Sequence, residues 1–172
     1  MDIISHGLWG SAAFGRKNKK TFLIAFLIGL APDMFSFGIL FVYRIILRLG
    51  FLPEPSISLA PAHFPVPIFV YSLYNITHSL IIFALFFGAI WLIFKKPFWP
   101  ILAWGLHILV DIPSHSFDFF PTPFLWPISN FKFDGIGWGN PIIFFPNVIL
   151  LLAVYGFLFL RKRKKKKIIS SN

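Results

Sequence analysis

The stretch TFLIAFLIGLAPDMFSFGILFVY, residues 21–43, decides the fold class. It holds one formal charge, Asp33, in an otherwise apolar run. A helix needs about 20 apolar residues to cross the hydrocarbon of a bilayer, so this segment reads as a membrane crossing. An ionisable side chain inside such a segment costs roughly 2.5–3.5 kcal/mol or more and is usually there for function. Asp33 therefore marks both a fold and a site.

Working outward, three further apolar stretches lie at 66–94, 98–113 and 141–160. The 98–113 stretch is short and ends at Pro113, so it is expected to reach only partway across. Residues 3–15, with Gly7, Trp9, Gly10 and Phe14, are apolar but too short to span and read as a re-entrant or interfacial helix. Residues 50–65 and 113–141 are rich in Pro, Phe and Gly and read as loops. The expected fold is all-α: a polytopic membrane helix bundle with about four transmembrane helices plus the N-terminal helix. Residues 1–160 form one domain, and 161–172 a basic tail.

Composition agrees. Of the 172 residues 57% are hydrophobic, 20% aromatic and only 13% charged, about half the charge of a soluble domain. Mean hydropathy is +0.77. Cysteine is absent, which excludes disulfides and thiolate metal sites. The net charge of +10 would suit nucleic acid, but its distribution argues for a membrane instead. Of 16 Lys and Arg, 13 fall at 16–20, 95–96 and 161–167, all on one side of the expected topology; Arg44, Arg48 and Lys132 are on the other. The positive-inside rule makes the first side cytoplasmic, in a cell (inner) membrane, and the loops at 50–65 and 113–141 outward. Residues 1–15 have no basic start and run into Arg16–Lys20, so no cleavable signal peptide is expected.

Five polar residues sit in or beside the apolar stretches: His6, Asp33, His78, His107 and Asp111. Taking about 1.5 Å of rise per residue, their depths can be compared. If 3–15 folds back on 21–32, His6 lies about 15 Å and Asp33 about 20 Å above the Arg16–Lys20 turn. From Lys95 and Lys96, His107 is about 16 Å up, Asp111 about 22 Å and His78 about 26 Å. Residues from four segments thus fall in one band about 10 Å tall. His107 and Asp111, at i and i+4, face one side of one helix.

Imidazoles and carboxylates are the ligand types of a divalent metal, zinc foremost. Pro32 is expected to break the helix before Asp33. Thr77 and Ser79 flank His78 and are placed to fix its ring. His115, one turn after Asp111, is a candidate ligand or general acid/base; Asp118 is a further one in the same loop. Plainer roles exist for these residues. A lone His in an apolar helix is often just hydrogen-bonded in the interior. Arg44 and Arg48, at i and i+4, resemble a phosphate clamp but more often such a pair snorkels at a helix end. The Arg161–Lys167 run anchors the last helix and would also meet anionic headgroups.

The order and context of these residues resemble a family, the membrane-bound, metal-dependent hydrolases of the YdjM-like type. The matching stretches are SHGLWG at 5–10, LAPDMFS at 30–36, THSL at 77–80, HILVD at 107–111 and PFLWP at 123–127. The resemblance implies metal ligation by His6, Asp33, His78, His107 and Asp111. The family is distantly similar to zinc-dependent phospholipases C and single-strand nucleases, which cleave phosphodiesters with clustered metals. Some members carry a second Asp shortly after the first, where Met34, Phe35 and Ser36 stand here. Some have His-Arg-Gly before the THS motif, where Leu73, Tyr74 and Asn75 stand here.

The expected function is a membrane-embedded, metal-dependent hydrolase of a lipid or lipid-linked substrate, a phosphoester by the family resemblance. The expected partners are membrane lipids and that substrate, not nucleic acid. Two other classes stay open on sequence alone: an ion or small-solute transporter using the same His and Asp as a path, and a structural membrane protein in which they cross-link helices.

Overall fold

The computed structural model describes residues 1–50 and 66–170, with side chains through residue 164. Residues 51–65 of the expected outer loop lie outside the described residues. The described residues form helices joined by loops, the longest at 115–140, with no strand and a single bridge between Ser116 and Phe119.

Helix α1 (Ile3–Phe14) starts where the Asp2 carboxylate accepts from the Ser5 N–H at 2.9 Å. Gly15 ends it, and a tight turn reverses the chain. Asn18 then caps α2 (Lys19–Asp33) reciprocally with Thr21, satisfying otherwise orphaned N–H groups. The expected fold-back of the N-terminal segment is present: α1 packs along α2 and against the helix Leu102–Ser114. Small residues allow the close approach. A Cβ on Gly29 would stand 2.7 Å from the His6 carbonyl oxygen, and one on Gly10 would stand 2.7 Å from the Ala103 Cβ. Gly29→Ala is therefore expected to push α1 away from α2. Thermal melting in detergent should show a loss of about 1–3 kcal/mol, typical of overpacking.

Pro32 does not break the helix as the sequence suggested. The helix passes through a π-helical turn at Met34–Gly38 and continues as α3 (Ile39–Arg48). Ser36, inside that turn, donates through Oγ to the Pro32 carbonyl at 2.9 Å. Residues Lys19–Arg48 thus run as one helix long and apolar enough to cross a membrane.

The break comes elsewhere. The 66–94 stretch bends by 56° between α4 (Ile68–Thr77) and α5 (Leu80–Phe94). His78 ends α4, and Ser79 restarts the helix by accepting from the Ile81 and Ile82 N–H groups at 3.1 and 3.2 Å. Ser79 Oγ also donates to the Trp126 carbonyl, and the Leu80 N–H bonds the Phe124 carbonyl at 2.9 Å, so the 123–127 loop holds the bend. Helix α6 (Leu102–Ser114) has 13 residues, with Pro113 in its last turn, too short to span alone. Helix α7 (Pro141–Ser170) is long and apolar over Pro141–Lys164, and its backbone stays helical into the basic run. Among the described residues, two helices are long and apolar enough to cross a membrane, or three if the bent pair counts as one span. That points to association with a membrane.

The core is small. Leu40, Val66, Val70, Tyr74 and Phe120 form its apolar cluster, while most of α5 and α7 leaves large apolar side chains exposed. That surface is what a lipid solvent requires.

Candidate metal centre

The start of α1, the end of α2, the bend after α4 and the middle of α6 meet at one point. His6, Asp33, His78, His107 and Asp111, together with His115, are each at most 4% exposed. Single ligand atoms of Asp33, His78, His107 and Asp111 all lie within 4.8 Å of one another. His107 Nε2 is 3.1 Å from His78 Nε2, 3.2 Å from Asp111 Oδ2 and 3.8 Å from Asp33 Oδ1. His78 Nε2 is 3.4 Å from Asp33 Oδ1 and 3.6 Å from Asp111 Oδ2.

The backbone assigns the tautomers. His107 Nδ1 faces the Gly29 carbonyl oxygen at 2.8 Å, and His78 Nδ1 faces the Tyr74 carbonyl oxygen at 3.2 Å. A carbonyl only accepts, so each Nδ1 carries the hydrogen and each Nε2 of a neutral ring presents a lone pair. Thr77 Oγ1 sits 3.0 Å from His78 Nδ1 and steadies the ring, as expected. Ser79, its other flanking residue, serves the helix cap and the loop instead.

Four acceptors thus converge: two imidazole lone pairs and two carboxylates. Asp111 Oδ2 is buried without a hydrogen-bond partner. One proton on one ring would bridge one pair and leave the other acceptors facing each other. A cation satisfies all four. Ligand atoms 2.0–2.1 Å from a tetrahedral zinc stand about 3.3 Å apart, and five of the six separations among these atoms run from 3.1 to 3.8 Å. The residues present therefore fit a divalent ion by number, chemistry and spacing.

His6 stands at the edge of this group. Its ring stacks on His107 with centroids 3.6 Å apart, and its Nε2 is 2.9 Å from Asp111 Oδ1. That approach lacks hydrogen-bond alignment, so His6 Nε2 is a second buried atom without a partner. His115 flanks the same oxygen, with Nε2 3.3 Å from Asp111 Oδ1 and Nδ1 2.9 Å from the Phe120 carbonyl. The Met1 nitrogen touches Asp111 Oδ1 and lies 3.2 Å from Ser114 Oγ and 3.1 Å from His115 Nε2. Asp111 thus faces two sets of partners, one through each oxygen. Asp118 is exposed and stands outside the cluster; Arg44 and Arg48 are exposed on α3.

Three contributors were not singled out from sequence. Gly29 serves through its carbonyl, which no side-chain pattern announces. Tyr74 stacks on His78 with centroids 3.9 Å apart and donates to the Phe120 carbonyl at 2.8 Å. Its position one turn before His78 was the available signal. Asn147 is a lone amide in the apolar α7 stretch. It accepts from Trp9 Nε1 at 2.8 Å and donates to Ser5 Oγ at 2.9 Å, tying α7 to the helix that carries His6. Asn147→Leu leaves the Trp9 N–H unpaired and removes one of the two hydrogen bonds of Ser5 Oγ. It should lower stability in detergent melting by about 1–3 kcal/mol, while metal content stays unchanged.

No protein-family model, curated protein or solved structure matches the chain.

Proposed function

We propose that this protein is an integral membrane hydrolase of the YdjM-like type, whose buried His and Asp cluster holds a divalent metal, zinc first. The observation that carries the reading is the convergence of four acceptors with no donor among them: His78 and His107 Nε2, Asp33 Oδ1 and Asp111 Oδ2. These four would hold the ion, and His6 would join them through the unpaired Nε2 beside Asp111. A metal there supplies Lewis acidity and lowers the pKa of water into the neutral range.

The remaining chemistry belongs to the chain. His115 Nδ1 is held by the Phe120 carbonyl, which leaves Nε2 facing the cluster to take or give a proton, as a general acid/base must. Burial of the cluster between α1, α2 and α6 keeps bulk water out, which strengthens each charge interaction. A lipid or lipid-linked substrate suits a site so enclosed by membrane helices, and a phosphoester is the class that the family resemblance favours. In this reading the bent α4–α5 pair spans the membrane. Helix α6, with its preceding segment, completes a fourth crossing alongside Lys19–Arg48 and α7. The Arg16–Lys20 turn and the basic tail face the cytoplasm of an inner membrane.

The test is turnover. Zinc-loaded protein reconstituted in vesicles of phosphatidylethanolamine and phosphatidylglycerol, doped with lipid-linked phosphates, is followed by lipid mass spectrometry. Hydrolysis is expected with wild type and should fall by about 100-fold in His115→Ala, the size of a general acid/base contribution, with metal retained. Absence of any hydrolysed lipid in zinc-loaded wild type across these classes would overturn the hydrolase assignment.

A further inference from the structure

A groove runs along the membrane face beside the metal centre. Leu106 and Val110 of α6 form one wall, Ile143, Pro146 and Leu150 of α7 the other, and Trp9 of α1 contributes to its lining. Its volume is about 360 Å³, inside the range of roughly 300–1,000 Å³ that holds small ligands. We propose that this groove receives one hydrocarbon chain of a bilayer lipid, and that this is how the substrate's apolar part is held. Assignment of that chain to the substrate rests on the hydrolase reading; occupancy of the groove by lipid does not.

Three observations choose a hydrocarbon chain over other occupants. The polar side chains on the wall are already used: Trp9 Nε1 donates to Asn147 Oδ1, and Asn147 Nδ2 donates to Ser5 Oγ. The other side chains that line it, Leu106, Val110, Ile143, Pro146 and Leu150, carry no polar atom. The α7 wall belongs to a helix long and apolar enough to cross a membrane, which favours lipid over water at the groove's mouth. The groove is also continuous with the cluster. Met1 lines it and touches Asp111, while Leu106 and Val110 are sequence neighbours of His107 and Asp111 on α6. A chain in the groove therefore brings its polar linkage to the metal-binding side chains. Contacts of α7 residues 143, 146 and 150 repeat at helical spacing, about 10 Å in all, enough to grip a chain along part of its length.

The test is lipid retention. Protein reconstituted with phosphatidylethanolamine and phosphatidylglycerol is extracted in mild detergent, and bound lipid is counted by native mass spectrometry. Wild type is expected to retain about one lipid. Ile143→Trp, which fills the groove, should reduce retention by about tenfold, or about 1.4 kcal/mol. Leu152→Trp, 70% exposed elsewhere on α7, should match wild type. Should Ile143→Trp not fold, Ile142→Trp at the groove's edge, 69% exposed, takes its place. Equal retention in wild type and groove variants overturns the proposal, as does a wild type that holds no lipid. A wild-type dimer that becomes a monomer in Ile143→Trp overturns it too, by assigning the groove to a second copy. Metal content read on the same samples separates the two readings. Lipid held without metal sinks the hydrolase and keeps the groove; metal held with unchanged lipid in Ile143→Trp does the reverse.

Discussion

Replacing Asp111 by alanine is expected to abolish metal retention while leaving the protein folded. Asp111 is the most shared member of the cluster: Oδ2 faces His107 at 3.2 Å and His78 at 3.6 Å, and Oδ1 faces His6 and His115. Losing an outer partner of a metal ligand costs about 10–100-fold in affinity, so losing the ligand itself should cost more than about 100-fold. His107→Ala should act the same way, and Arg44→Ala, on exposed α3, should leave metal content unchanged. Stability should move differently from metal content. Without an ion, Asp111 Oδ2 is a buried oxygen facing other acceptors, and relief of that cost is expected to outweigh loss of the Met1 nitrogen contact at Oδ1. The metal-free variant should therefore melt at or above metal-free wild type. If the cluster merely joined helices, the outcome would be opposite: less folded protein in Asp111→Ala and no metal in any form.

Stripping the ion from wild type is the second large effect. A ligand that binds only the folded protein at about a thousand times its Kd stabilises by about 4 kcal/mol. For a chain of this size that is on the order of 10 °C in Tm. A chelator should lower the wild-type melting temperature by that amount and leave Asp111→Ala unchanged. Acid should mimic the chelator. The ligating imidazole and carboxylate groups must be deprotonated to bind, so affinity is full above the ordinary His range near 6.5 and declines as pH falls through and below it. Melting followed from about pH 8 to pH 5, with and without added zinc, checks the sign. Stability that rises on acidification in the presence of zinc would contradict it.

Much of this site was legible in the sequence because depth in a membrane can be counted. Rise per residue from the Arg16–Lys20 turn and from Lys95–Lys96 put His6, Asp33, His78, His107 and Asp111 in one layer. Their side chains do meet. Spacing also placed His107 and Asp111 on one face, and His115 one turn on. What spacing could not give was the path of the backbone. Pro32 looked like a break, yet α2 runs through it and on into a π turn. The real break falls at Thr77-His78-Ser79, which contains neither Pro nor Gly. It depends on a loop some fifty residues away, where the carbonyls of Phe124 and Trp126 receive Leu80 and Ser79. Distant backbone partners leave no local signature. The same reason hid Gly29, whose role lies in its carbonyl and its missing side chain.

The most direct measurement is the metal content of the wild-type protein. Elemental analysis after gentle detergent extraction, without added metal, should find about one or two divalent ions per chain, zinc foremost, as imidazole and carboxylate ligands favour. Less than about a tenth of an equivalent of any transition metal, with no uptake on reconstitution with zinc, would contradict the metal centre itself.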